Sequence, residues 1–157
     1  MKKVLQITIV LFFLAFAGIQ FIRPNRTNPP VNQQLTLESQ TEVPADVSAV
    51  LKRSCNDCHS NETIYPWYSN IAPISWEVVE HIELGRAELN FSEWGNYKID
   101  QKLRRLDEMC EEIESGEMPH DQYLWIHWDA VLSDEEKRKV CEWTEKEVEK
   151  LRASDKR

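Results

Sequence analysis

The sequence predicts an all-α protein: one small helical domain preceded by a single apolar N-terminal helix. Three observations carry that expectation. Apolar residues recur at helical spacing through the second half of the chain, no convincing run of alternating strands and helices is present, and the first 22 residues are almost wholly apolar. At 157 residues and 41% hydrophobic content, the chain has the size of one globular domain plus appendages. A second core is not expected.

Residues 1–22 are read as a signal anchor or transmembrane helix. Lys2 and Lys3 precede an apolar run from Val4 to Ile22, interrupted only by Gln6, Thr8 and Gln20. As a helix it would extend roughly 28 Å, close to the thickness of a bilayer's hydrocarbon core. Ala15-Phe16-Ala17 has the small-x-small form of a signal-peptide cleavage site, but the apolar run continues past it through Ile22, which favours an uncleaved anchor. Arg23 and Arg26 balance Lys2 and Lys3, so flanking charge sets no orientation. Residues 23–44, rich in Asn, Pro, Gln and Thr, read as a flexible tether. Residues 45–153 then form the domain.

The chemistry concentrates in Cys55-Asn56-Asp57-Cys58-His59. On a helical turn, positions i, i+3 and i+4 share a face, so two thiols and an imidazole point the same way. That is the spacing for covalent haem attachment: Cys55 and Cys58 bond the two vinyl groups, and His59 is the proximal iron ligand. With 4 Cys and 4 His in the chain, about 0.003 such matches arise by chance. A redox CxxC would want a βαβ context, and a zinc site two further ligands suitably spaced; neither accompanies the motif. One covalently attached haem c is therefore the expected cofactor. Its attachment chemistry places the domain on the extracytoplasmic, periplasmic side of the cell membrane.

Further motifs follow in order: Ser60-Asn61, Tyr65-Pro66-Trp67-Tyr68-Ser69, Ile71-Ala72-Pro73, Ser75-Trp76, Gly85-Arg86, Leu89-Asn90-Phe91-Ser92-Glu93-Trp94, Gly116-Glu117-Met118-Pro119, Tyr123, His127 and Leu132-Ser133. With the attachment motif they resemble the small secreted haem-binding domains of bacteria, related broadly to c-type cytochromes, over about Cys55 to Trp143. The resemblance implies a cytochrome c-like helical domain around one haem. His120 departs from the family pattern, in which a second Pro commonly follows Pro119.

Leu103, Leu106, Met109, Cys110 and Ile113 mark one amphipathic helix, with Gly116 placed to end it. Val140, Trp143, Val148 and Leu151 mark a terminal helix that Ser133 and Glu136 would cap. Of Tyr65, Trp67, Tyr68, Trp76, Phe91 and Trp94, most are expected in ordinary core and two or three against haem. For the second iron ligand Met118 leads, because Pro119 disfavours helix there and leaves the thioether on an extended loop. His81 is the main alternative, ahead of His127 and His120. Cys110 and Cys141 either close a disulfide between the two helices or remain separate buried thiols.

A net charge of −8 disfavours nucleic acid and anionic membrane surfaces as partners and favours basic redox proteins. Glu111, Glu112, Glu114 and Glu117 would form the docking rim or simply a solvated helix face. The expected function is one-electron transfer by a membrane-tethered monohaem protein, not enzymatic catalysis, since no convincing distal acid–base pair is seen. A haem sensor or peroxidase-like protein with an open or labile sixth position is the alternative, and a domain using haem as a folding staple a third reading.

Overall fold

The computed structural model describes residues 1–155, and among these there is no strand. Helix α1 (Lys2–Ile19) is exposed along its length and has a mean hydropathy of 1.8. It has no polar face and buries nothing in the domain, so its apolar surface needs another apolar environment. The helix stops three residues short of Ile22, where Gln20 turns its amide to the Ala72 backbone. Its Nε2 donates to the Ala72 carbonyl and its Oε1 accepts from the Ala72 N–H, both at 3.0 Å.

Residues 23–44 lie along the domain, where composition suggested a solvated tether. Leu37, on the short helix α2 (Leu37–Gln40), is 2% exposed and belongs to the core. Gly95 donates its N–H to the Leu35 carbonyl at 2.8 Å, and Trp143 donates its indole N–H to the Glu42 carbonyl at 3.3 Å. One buried leucine and a few backbone acceptors suffice for this docking, and average composition does not register them.

The domain continues through α3 (Ala45–Ser54), α4 (Asn56–His59), a 3₁₀ turn at Trp67–Asn70, α5 (Ile74–Glu88), a second at Phe91–Asn96, α6 (Ile99–Ser115), α7 (Asp121–Leu124), a third at Trp128–Ala130, and α8 (Asp134–Asp155). Helices α6 and α8 pack along each other with their faces as the periodicity predicts. Leu106, Met109 and Ile113 meet Val140, Trp143 and Val148 in one core, with Leu103 and Leu151 packed against it. Phe91 and Trp94 fill the same core, joined by Val47, Val50 and Leu51 from α3.

The ends of these helices follow from their residues. Gly116 closes α6 with a φ of 83°, a left-handed conformation that a side chain disfavours. At the start of α8, Glu136 accepts from the Ser133 N–H at 2.9 Å while the Ser133 hydroxyl accepts from the Glu136 N–H at 3.3 Å. Glu136 also pairs with Arg53 at 2.9 Å, tying α8 to α3. The guanidinium and the capping bonds pull its carboxyl down to about 2. Cys110 and Cys141 are joined in a disulfide with their Cα atoms 4.9 Å apart, resolving the two alternatives for that pair.

Candidate cofactor site

The chain breaks at Cys55, whose backbone (φ −126°, ψ −36°) leaves the geometry of α3, and resumes as the single turn α4. The Cys58 and His59 N–H groups both donate to the Cys55 carbonyl, at 3.2 and 3.0 Å. The two cysteines and the histidine therefore share one turn, and both thiols are free. The segment after it folds back: Asp57 accepts the Ile64 N–H at 3.0 Å, and the Thr63 hydroxyl donates to the Asp57 carbonyl at 2.6 Å.

Both cysteine residues keep part of their surface in solvent, but the sulfur atoms are desolvated. Burial, reinforced by the neighbouring Cys58, pushes the Cys55 thiol up to about 12. Burial and the Asp57 carboxylate push Cys58 up to about 11. At neutral pH the pair is thus protonated and weakly nucleophilic. Burial likewise holds His59 below the usual histidine range, which favours the neutral imidazole that can ligate a metal.

The His59 Nδ1 lies 3.0 Å from the Leu89 carbonyl. With a carbonyl as partner, Nδ1 must carry the proton and donate, leaving the Nε2 lone pair free. Leu89 is held by a buried polar cluster. Asn90 donates to the Asn61 side chain at 2.8 Å and accepts from the Ser92 N–H at 3.0 Å, and Ser92 accepts from the Asn61 N–H at 3.0 Å. The Asn90 N–H donates to the Tyr97 hydroxyl at 2.9 Å.

Helix α5 reaches the attachment turn at Gly85, where a Cβ would stand 2.8 Å from the Cys58 carbonyl oxygen. No side chain fits there without movement. The next residue, Arg86, donates to the Ser60 carbonyl, the Thr63 hydroxyl and the Asn28 side chain, at 2.8, 2.8 and 2.7 Å. It joins the attachment loop to α5 and to the segment entering from α1.

Met118 lies on the loop between α6 and α7, with its N–H donated to the Glu112 carbonyl at 3.0 Å. Its residue is 37% exposed, which leaves the thioether open to a ligand role. His81 is one helical turn before Gly85, on the side of α5 that faces the attachment turn. Its ring meets that of His120 with centroids 5.1 Å apart, so the Met118 loop leans over α5. His127 is already engaged, its Nε2 lying 2.7 Å from the Tyr68 hydroxyl. Its ring stacks on Tyr123, which donates its hydroxyl to Asp57 at 3.0 Å. These bonds latch the segment after α7 to the attachment motif.

The aromatic residues divide as their spacing alone could not specify. Phe91 and Trp94 are core and Tyr68 is buried, whereas Trp67 is 72% exposed. Arg105, 7% exposed, stacks over the Tyr97 ring at 4.5 Å, and its Nε has no hydrogen-bond partner among the described residues. The sequence alone gives no role to the Leu89 carbonyl, the Gly85 approach or Arg105. Gly85-Arg86 and Leu89-Asn90 do stand among the motifs of the resemblance, which was the available signal for the first two.

These residues fit a haem. Two protonated thiols share one turn with a neutral, oriented imidazole. The nearby Arg105, whose charge helps hold His59 down, keeps a buried Nε without a partner among the described residues, which suits a group bearing carboxylates. The haem-binding domain family profile matches residues 14–146, most of the chain including the attachment turn, the α5 approach and the Met118 loop. No curated protein and no solved structure gives a significant match. By that match the chain belongs to the haem-binding domain family, and it is a haem-binding protein.

Proposed function

We propose that this protein is a membrane-anchored, extracytoplasmic electron carrier with a single covalently attached haem c, and not an enzyme. The observation that carries the reading is the turn Cys55–His59: two free thiols beside an imidazole whose Nδ1 is committed to Leu89. Cys55 and Cys58 would form the thioethers, His59 would supply the proximal ligand, and Met118 the distal one, with His81 as its competitor. Bound haem supplies one-electron iron chemistry. The chain's contribution is to fix the imidazole through Leu89, to keep the thiols and histidine desolvated, and to hold the Met118 loop over α5. Helix α1 serves as the membrane anchor, and the partners are redox proteins with basic surfaces facing the acidic end of α6.

Absorption spectra of the full chain, produced in a host able to attach haem, test this together with a denatured mass. The expected result is one thioether-linked, low-spin haem with a weak sulfur-to-iron charge-transfer band. Low-spin haem without that band would assign a histidine, led by His81. A high-spin spectrum and rapid carbon monoxide binding would replace electron transfer by the sensor or peroxidase-like reading.

A further inference from the structure

The exit of α1 is fastened to the domain at several points. Besides the paired Gln20–Ala72 bonds, the Trp76 indole N–H donates to the Ile22 carbonyl at 2.8 Å, and Arg26 donates to the Asn70 side chain. All three attachments fall on one stretch, running from the 3₁₀ turn Trp67–Asn70 through the link at Ala72 to the start of α5. Around this joint the surface is unusually apolar for a domain in water: Phe21 is 88% exposed, Trp67 72% and Ile74 46%. Arg23 and Arg26 belong to the same joint, so the chain's overall negative charge does not describe it.

From this geometry we infer that the domain is seated on the membrane surface, with Trp67 and Ile74 in the headgroup layer beside the emerging α1. The inference rests on the reading of α1 as a retained anchor. Its occupant is the lipid surface because the apolar patch is continuous with the helix that would enter the bilayer, bonded to it within a few residues. A tryptophan with one wet edge and one apolar face suits that layer, and the two arginines suit lipid phosphates. Docking by Gln20 removes the freedom a loose tether would give, so the haem turn is held at a fixed height and tilt above the bilayer. Electron exchange then favours membrane-bound partners that meet the carrier laterally.

Spin labelling of the full holoprotein in phosphatidylcholine–phosphatidylglycerol nanodiscs tests the seat. One label replaces Trp67 (W67C), a second replaces Ile74 (I74C) should the first variant fold poorly, and a reference label sits on exposed Lys146 (K146C). Labels at 67 or 74 are expected to collide with oxygen several-fold more, relative to a water-soluble nickel chelate, than the label at 146. Gln20→Ala should bring their ratio toward the reference value. Equal ratios at 67, 74 and 146, in protein that still resists carbonate extraction, would overturn the seat while leaving the anchor intact. Protection of position 67 from both reagents would mean that protein or haem covers it, which also overturns the seat. Release by carbonate would sink the anchor reading, and the seat with it.

Discussion

Replacing Gly85 by alanine sets two known effects against each other. Alanine is the better helix former by about 1 kcal/mol, and Gly85 lies inside α5, so propensity alone predicts a more stable protein. The added Cβ, however, would stand 2.8 Å from the Cys58 carbonyl oxygen and 3.2 Å from its Cβ. Since ordinary contact begins at 3.4 Å, α5 and the attachment turn must part by about 0.6 Å. Neither neighbour is the free end of a flexible chain, and overpacking of this kind costs about 1–3 kcal/mol. The net result is a loss of about 1 kcal/mol, or a Tm lower by about 4 °C in the haem-free full chain in detergent. The same displacement, passed along α5, would stretch the His59–Leu89 bond from 3.0 Å to about 3.6 Å, beyond hydrogen-bond range. On the proposed ligation by His59, a less basic imidazole stabilises ferric iron less, so the reduction potential of the haem-loaded protein should rise. Thermal melting by circular dichroism and a redox titration read the two effects separately. A variant that melts higher than wild type at an unchanged potential would refute the close approach of α5 to the turn.

Met118→Ala should abolish the sulfur-to-iron band and lower the potential, and an unaltered spectrum removes Met118 from the iron. The Cys110–Cys141 disulfide spans 31 residues, for which loop closure predicts about 3–4 kcal/mol; Cys110→Ser, Cys141→Ser and the double variant should all lose about that amount in urea unfolding. Losses below about 1 kcal/mol would show that the bridge adds little. Glu136→Gln weakens both the α8 cap and the Arg53 pair, at a cost of about 1–2 kcal/mol near neutral pH. Because folding lowers the Glu136 carboxyl from 4.5 to about 2, its contribution is full above 4.5 and disappears as pH falls toward 2. Melting curves of wild type and variant should therefore converge over that interval, and a gap independent of pH would contradict the assignment.

The long helices were legible because burial repeats every turn. Leu106, Met109 and Ile113 announce α6, and Gly116 ends it where a left-handed residue is needed. That Cys55, Cys58 and His59 share one turn was legible too, since three side chains at i, i+3 and i+4 leave few alternatives for their common face. What holds that turn was not. A backbone carbonyl has no residue type, so nothing distinguishes Leu89 as the His59 acceptor until the fold brings α5 around. Gly85 reads from sequence as a weak point in a helix, and only the 2.8 Å approach explains it. The docking of residues 23–44 is not legible in composition because it depends on Leu35, Leu37 and a few hydrogen bonds within an otherwise polar stretch. The disulfide could not be chosen over two thiols because helical periodicity gives a face, not the distance between two faces.

The four cysteines have opposite fates within one molecule. Cys110 and Cys141 are oxidised to a disulfide, whereas Cys55 and Cys58 stand as free thiols, the state that the proposed thioether attachment requires. An oxidising compartment that serves the first pair threatens the second. The fold itself separates them: with thiols raised to about 12 and 11, Cys55 and Cys58 expose almost no thiolate at neutral pH, and thiolate is the species that enters disulfide exchange. On the proposed attachment, a chain that folds before loading is thereby guarded against wrong pairing at the position where an oxidised CxxC would block the thioethers.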